Sequence, residues 1–138
     1  MAADVLERYE TIAAGKSEGL GGDTYYGYES NLLAIVEANF ASFDVPIASN
    51  NVNLIQGLFE DTIRPDGPVA LAHVDGDWYE SVRVCLDRIW PAISTGGRIV
   101  LDDYYSWSGC RSAFDDWLPA VDDCRVNWAL ARPHLIKV

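Results

Sequence analysis

Four aspartates stand out as residues that could do chemistry, because they form two close pairs, each directly after an apolar segment. The pairs are Asp75 with Asp77 and Asp102 with Asp103. Neighbouring carboxylates raise one another's pKa, and a bound divalent cation removes that conflict. Oxygen ligands without cysteine or paired histidine favour Mg²⁺, with Mn²⁺ or Ca²⁺ also possible. Either pair alone would more simply be a strand-end cap or a turn, but together they predict a metal site.

Two predicted strands must bring these carboxylates together. Pro68–Val74 is an almost unbroken apolar run, which predicts a strand buried on both faces of a parallel sheet. Arg98–Leu101 predicts a second strand, and Tyr79–Ile93 predicts a helix long enough for a right-handed crossover between them. Ligands of such sheets bind beyond the carboxyl ends of the strands. Asp75 and Asp102 are therefore expected side by side.

The rest of the chain predicts the elements around this unit. Together they indicate a single domain, 1–138, of α/β class: a three-layer sandwich with a mostly parallel sheet and a C-terminal antiparallel hairpin. The further predicted elements are a helix over residues 1–14, a helix capped by Ser30 that buries Leu32, Leu33, Ile35, Val36 and Phe40, a strand Val52–Phe59, a helix opened by Ser108 or Gly109, a helix end at Ser94–Gly97, and hairpin strands Arg125–Ala129 and His134–Val138.

Composition excludes several classes of partner. The 138 residues carry 21 acidic and 10 basic side chains, a formal net charge of −11, which repels nucleic acid and anionic lipid. No apolar run approaches the roughly 20 residues that span a bilayer, and no signal-peptide core is present. The three cysteines fit no zinc pattern and are expected to be reduced. A cytoplasmic protein with a small-molecule substrate is the resulting expectation.

The two acidic motifs also resemble a known family in their wider context. "HVDGDWYES" and "ISTGGRIVLDDYYSWSGCRSAFDDW" are similar to segments of the macrocin O-methyltransferase family of antibiotic biosynthesis, as are the flanking "NVNLIQGLFEDTI" and "HLIKV". The resemblance covers most of the chain from about Glu18. It implies a Rossmann-like class I methyltransferase fold, here partial, with S-adenosylmethionine as the methyl donor and Mg²⁺ assisting transfer to a sugar or natural-product hydroxyl.

The resemblance also implies a role for each aspartate. Asp75, Asp102 and Asp103 match the family's metal ligands, and Asp77 matches its general base. The chemistry agrees, because a sugar hydroxyl is too weak an acid to attack a methyl sulfonium at neutral pH. A cation near the oxygen stabilises its developing charge, and a carboxylate alongside accepts the proton.

The sequence departs from the family's pattern at its start. Such methyltransferases open with a strand and a glycine-rich turn for the cofactor, and neither is found before Gly19. The cofactor-binding residues therefore stay unknown. Three explanations are open: a truncated form of the enzyme, a partner chain that supplies the missing strands, or a remodelled protein that no longer binds the cofactor. The missing strands would leave an unpaired edge on the predicted strand Val52–Phe59, which predicts a homo-oligomer or a partner chain at that edge.

Two other functions compete with this interpretation. Asp75-Gly76-Asp77 after an apolar strand mimics the nucleophile motif of haloacid-dehalogenase-like phosphatases. That motif requires a small hydroxyl residue or valine where Tyr79 stands, and a later lysine, for which only Lys137 is available. The second alternative is a non-catalytic α/β domain whose acidic face binds metal or a protein.

Residues around the aspartates carry further expectations. His73 is predicted to be a hydrogen-bonded core histidine. Tyr104, Tyr105 and Trp107 could form an aromatic wall for substrate or simply pack on their loop. Arg111 could anchor a substrate or pair with Asp115 one helical turn away.

Overall fold

The computed structural model describes residues 3–138, which divide into two compact units. One unit comprises Leu58–Val138 together with the residues up to Glu7, and the other comprises Arg8–Gly57. That the chain behaves as one domain stays a prediction. Among the described residues no helix has the length and apolar character needed to cross a membrane. The α-helices and strands are α1 Ala3–Ala13, α2 Leu32–Ser42, α3 Phe59–Thr62, β1 Val69–Val74, α4 Tyr79–Ile89, β2 Ile93–Leu101, α5 Ser108–Trp117, β3 Cys124–Asn127 and β4 His134–Lys137.

The first unit is built on a four-stranded sheet of order β1-β2-β4-β3. β1 and β2 are parallel, with α4 as the crossover between them, while β4 lies antiparallel to both β2 and β3. Three of the four strands therefore run in the same direction. This confirms the predicted α/β class with a mostly parallel sheet and a terminal antiparallel hairpin.

The core of this unit lies on one face of the sheet. Ile99 and Leu135 are register partners, and both are fully buried, as is Phe114 of α5. The amphipathic spacing of α4 and α5 buries one side of each helix against the same layer. The buried cluster comprises Val74, Val82, Cys85, Leu86, Trp90, Ile93, Ile99, Leu101, Cys110, Ala113, Phe114, Trp117 and Leu135.

The opposite face of β1 is open, so the prediction that this strand is buried on both faces is wrong. Leu71 is 61% exposed, and His73, two residues further along the same face, is also exposed. Successive side chains of a strand point to opposite faces, and within the first unit the packed helices cover only the other face.

The predicted helix end at Ser94–Gly97 is also wrong, because these residues belong to β2. α4 ends at Ile89, and a short 3₁₀ helix at Trp90–Ala92 follows, in which Pro91 cannot continue the hydrogen-bonding of an α-helix. The glycines serve a different purpose from the predicted stop. Gly96 has a φ of +81°, which favours glycine. A Cβ on Gly97 would lie 2.9 Å from the carbonyl of Ala70, the residue at which the register between β1 and β2 shifts.

The second unit contains most of α1, all of α2 and short 3₁₀ helices. The predicted helix over residues 1–14 is confirmed as α1, although its first two residues lie outside the described residues. Asn31, rather than Ser30, precedes α2 and makes no side-chain cap hydrogen bond. The predicted buried stripe of α2 is wrong: Leu32, Leu33 and Ile35 are between 37% and 40% exposed.

The predicted strand Val52–Phe59 is not formed. Residues 52–58 have no regular secondary structure, and Phe59 begins α3. A strand is defined by its hydrogen-bonded neighbour, and within the described residues this segment has none. Within the described sheet β1 and β3 are the two edge strands, and β1 pairs only with β2.

Candidate metal centre

The ends of β1 and β2 bring three of the predicted site residues together. Val74 and Leu101 are register partners, so Asp75 and Asp102 are the next residues on each strand, and the Asp102 N–H donates to the Val74 carbonyl over 2.9 Å. One carboxylate oxygen each from Asp75, Asp102 and Asp103 lie within 4.8 Å of one another. The predicted proximity is therefore present, and the role of these residues as metal ligands stays a prediction.

The electrostatics of this cluster show an excess of negative charge. The pKa of Asp103 is raised to about 6, first by burial, then by its hydrogen bond with Asp75 and by the charges of Asp77, Asp75 and Asp102. A divalent cation would favour the ionised form of all these groups. The three carboxylates are hard oxygen donors of the kind that Mg²⁺ binds, so the residues present fit such an ion.

Asp102 is held by a cationic partner, Arg132, and by a contact with His73. Arg132 Nε contacts Asp102 Oδ1, and a terminal guanidinium nitrogen of Arg132 donates to Oδ2 over 3.1 Å. His73 Nε2 lies 2.7 Å from Oδ1. The hydrogen bond from Arg132 is the main cause of the lowered pKa of Asp102, and the His73 contact lowers it further.

His73 is therefore not the core histidine that the sequence predicts. Its side chain is 56% exposed on the open face of β1, and the expected hydrogen bond is made at the surface, to Asp102. The apolar run around it suggested burial, but burial depends on what covers that face of the sheet. The helices of the first unit cover the other one.

Sequence reasoning missed Arg132. It lies in the connection between β3 and β4, and the next residue, Pro133, accepts a hydrogen bond from the Leu101 N–H over 3.2 Å. Since β4 is antiparallel to β2, its first residues lie beside the end of β2, next to Asp102. Pairing the terminal hairpin with β2 at the outset would have placed Arg132 at the cluster.

Asp77 is held close to the start of α5 by backbone packing. Gly109, in the first turn of that helix, is buried, and a Cβ there would collide with the backbone carbonyl of Asp77 and lie 3.0 Å from the Tyr79 nitrogen. Only glycine permits this approach. The loop that carries Asp77 is thus positioned by α5, and Asp77 itself is half-buried.

The aromatic residues after the acidic pair divide into packed and exposed ones. Tyr104 packs against Phe114 and Trp128, with ring centroids 5.5 and 5.4 Å away, and its hydroxyl donates to Asp115 over 3.1 Å. Of the three aromatic residues, Tyr105 is 53% exposed, whereas Tyr104 and Trp107 are half-buried. An aromatic wall for a substrate therefore stays a prediction that depends on Tyr105.

Arg111 braces the same loop. Its guanidinium donates to the carbonyls of Tyr104 and Tyr105 over 3.1 and 3.3 Å. Of the two alternatives for Arg111, the pair with Asp115 is not formed among the described residues, and the substrate anchor stays a prediction. Cys110, one residue earlier, is buried, and burial raises the pKa of its thiol to about 12. A thiol with so high a pKa is a poor nucleophile at neutral pH.

The glycine-rich loop at Gly19–Gly22 does not fit a cofactor cradle. Glu18 and Thr24 form an isolated antiparallel bridge, and a Cβ on Gly19 would lie 2.7 Å from the Thr24 carbonyl. The glycine is thus required because the loop closes on itself. The described residues contain no strand before this loop, as a cofactor-binding turn would need.

Comparisons with known proteins agree with the motifs. Residues 23–122 match the family model described as macrocin O-methyltransferase (TylF). The chain is 29% identical over 127 residues to the demethyldecarbamoylnovobiocin O-methyltransferase of Streptomyces niveus, a match that covers 86% of this chain and 47% of the relative. It is 36% identical over 87 residues to the 8-demethyl-8-(2,3-dimethoxy-alpha-L-rhamnosyl)-tetracenomycin-C 4'-O-methyltransferase of Streptomyces olivaceus, covering 62% of this chain and 32% of the relative.

A solved structure shows the same similarity in three dimensions. The O-methyltransferase NovP superimposes with a TM-score of 0.62 at 26% identity, and the match covers 74% of this chain and 43% of NovP. The chain thus spans less than half the length of each of these proteins.

Proposed function

This chain belongs to the macrocin O-methyltransferase family, and from that premise we propose that it serves the O-methylation of a hydroxyl on a small natural product. Two relatives are named as O-methyltransferases of demethyldecarbamoylnovobiocin and of a rhamnosyl-tetracenomycin. The proposed acceptor is therefore a hydroxyl of a sugar or another natural product. The observation that carries the proposal is the cluster of Asp75, Asp102 and Asp103 at the ends of two neighbouring strands.

In this proposal the three carboxylates hold a divalent cation, for which Mg²⁺ fits the donor set. A divalent cation bound there supplies positive charge that lowers the pKa of a nearby substrate hydroxyl. The carboxylates fix the position at which that hydroxyl is presented. The pKa of Asp103 is raised by burial and by its neighbouring carboxylates, and a cation bound there would favour its ionised form.

Asp77 is the proposed general base. It is half-buried in the loop directly after β1, and its charge contributes to the raised pKa of Asp103. Contact between its backbone and Gly109 holds the loop in place. A carboxylate at this position can accept the hydroxyl proton while the oxygen becomes a nucleophile, which typically accelerates such reactions by about 10²- to 10⁴-fold.

S-adenosylmethionine is the proposed methyl donor, by analogy with the family. The glycine-rich loop Gly19–Gly22 closes on itself and does not offer a cradle for it. Its binding residues therefore stay unassigned. We also propose a cytoplasmic location, which fits biosynthesis of a small molecule.

A non-catalytic metal-binding domain is a second candidate, and one observation favours it. Asp102 is paired with Arg132, so part of the negative charge of the cluster is neutralised by the chain itself, without a substrate or cofactor. The phosphatase alternative is set aside, because the match over residues 23–122 assigns the acidic motifs to a methyltransferase family.

The two candidates are separated by a methylation assay paired with a binding assay. The protein is incubated with S-adenosylmethionine, MgCl₂ and demethyldecarbamoylnovobiocin, and methylated product is measured by mass spectrometry. Asp77→Asn is expected to lower the rate by about 10²-fold or more. Its Mn²⁺ affinity should fall far less than that of Asp75→Asn, because Asp77 adds charge near the site but is not one of the three ligands. Asp66→Asn, an exposed loop carboxylate with the same charge change, serves as the control. Mn²⁺ binding without S-adenosylmethionine binding or product would favour the non-catalytic domain.

A further inference from the structure

We propose that Arg132 is a built-in counter-ion of the acidic cluster, which competes with the divalent cation for Asp102. The inference rests on the proposed metal site and adds to it a residue that sets how tightly a metal binds. Arg132 lies outside both acidic motifs.

The geometry of the ion pair carries the proposal. Arg132 engages both oxygens of Asp102, one through Nε and the other through a terminal nitrogen at 3.1 Å. In such a two-point pair the guanidinium donates two N–H groups, one to each oxygen of the same carboxylate. His73 Nε2 lies 2.7 Å from Oδ1, so Oδ1 has two donors. A cation that uses Asp102 as a ligand must share or displace these partners.

The charge of Arg132 also acts on the rest of the cluster. Asp103 and Asp75 contribute, after Asp102, to the electrostatic stabilisation of the charged guanidinium. Arg132 is therefore the side chain that offsets part of the negative charge of the three carboxylates. A divalent cation offsets more of that charge, so the two cations are alternatives for the same set of oxygens.

The surroundings of Arg132 allow its guanidinium group to move away from Asp102 into solvent. Its side chain is 48% exposed, while Pro133 is fully buried and bonded to the Leu101 N–H. On the other side of the connection, the Trp128 ring packs against Tyr104 and Phe114. The backbone of the β3–β4 connection is thus anchored at both ends, and release of the guanidinium requires only a side-chain rotation into solvent.

This arrangement predicts the direction in which a mutation changes metal affinity. A ligand that must displace a competitor binds more weakly, because only the fraction of molecules in which the competitor has left the site can bind it. Arg132→Gln removes the competitor, and it should tighten the binding of a divalent cation by roughly two- to fivefold, as expected for one half-exposed ion pair. If Arg132 instead supported the metal site, the same change would weaken binding.

The matched control is Arg125→Gln, which removes one positive charge from an exposed position on β3. Mn²⁺ dissociation constants are measured by electron paramagnetic resonance for the wild-type chain and both variants, and Mg²⁺ binding by calorimetry. Tighter binding in Arg132→Gln, with Arg125→Gln close to the wild type, supports the competition. Equal or weaker binding in Arg132→Gln than in Arg125→Gln overturns it.

A second measurement follows the guanidinium directly. In ¹⁵N-labelled protein the Arg132 Nε–H resonance is assigned by its absence in Arg132→Gln, and Mg²⁺ is then added. Loss or movement of this resonance at saturation is expected, and an unchanged resonance at saturating Mg²⁺ contradicts displacement. Absence of metal binding in every protein, Arg132→Gln included, would overturn the metal site itself. Metal binding that is lost in Asp75→Asn but unaffected by Arg132→Gln would overturn only the competition.

Discussion

Asp75 and Asp102 are the first residues beyond the last register pair of the parallel β1–β2 ladder, Val74 with Leu101. The hydrogen bond from the Asp102 N–H to the Val74 carbonyl, at 2.9 Å, extends the ladder by one step past that pair. The distance between the two carboxylates is therefore set by strand pairing, which is more rigid than a loop contact. Both the proposed metal site and the competition by Arg132 depend on this pairing.

Replacement of Asp75 by Asn should weaken divalent-cation binding by at least about tenfold, because it removes one of three anionic ligands close to the ion. Asp75 is exposed, so the fold should be unaffected. Mn²⁺ affinity is measured by electron paramagnetic resonance, and circular dichroism checks the fold. Asp66→Asn has the same charge change and should bind Mn²⁺ as the wild type does. An equal loss in both variants would indicate a diffuse effect of net charge.

Asp103→Asn should stabilise the metal-free protein at pH 7. The pKa of Asp103 is raised from 3.8 to about 6 in the folded state. Between these pH values the Asp103 carboxyl is therefore protonated in the folded state and ionised in the unfolded state. Stability therefore falls as pH rises through this window and stays lower above it. Asp103→Asn does not undergo this loss of stability. Its Tm should therefore exceed the Tm of the wild type by about 3 °C at pH 7, and the two Tm values should become equal below about pH 4. A gain that persists at pH 3 would point to another cause.

Gly109→Ala should destabilise the protein and disturb the position of Asp77. The added methyl group would collide with the Asp77 backbone carbonyl, which cannot move aside as a flexible side chain could. Overpacking of this kind typically destabilises by about 1–3 kcal/mol. Urea unfolding measures the change. Gly67→Ala is the control, since a Cβ at that exposed loop position meets nothing within 4 Å.

Two leucine truncations test whether only one face of the sheet is covered. Leu135→Ala removes a fully buried side chain and should lower the free energy of unfolding by about 2–5 kcal/mol. Leu71→Ala removes one that is 61% exposed and should change it by under about 1 kcal/mol. Both are measured by urea denaturation. A similar loss in the two variants would mean that the open face is covered in solution.

Because the strand Val52–Phe59 is not formed, we expect the predicted self-association at the free edge of β1 instead. Within the described sheet, β1 pairs only with β2, and its sequence from Val69 to Val74 carries no lysine or proline that would block pairing with another chain. We expect sedimentation equilibrium to show association that increases with concentration, and Ala70→Pro to reduce it. A monomer throughout the micromolar range would contradict the prediction.

The sequence predicted best the elements whose apolar pattern and order along the chain indicate the same structure. The apolar strands with acidic ends, the crossover helix between them and the terminal hairpin could all be predicted, because each depends on local periodicity and on the parallel arrangement that a crossover imposes. The strand Val52–Phe59 could not be predicted correctly, since its apolar composition favours a strand but no neighbour in the described residues pairs with it.

The residues that surround the carboxylates show where sequence reasoning ends. That Asp75, Asp102 and Asp103 meet follows from the sequence, because strand direction and crossover length leave few alternatives. That Arg132 and His73 both bind Asp102 was decided by tertiary structure. Arg132 reaches the site because β4 inserts antiparallel beside β2, and His73 does so because the helices leave its face of β1 open. Both facts are long-range, since they depend on which strand lies next to which and on which face is covered, and no local spacing of residues encodes either.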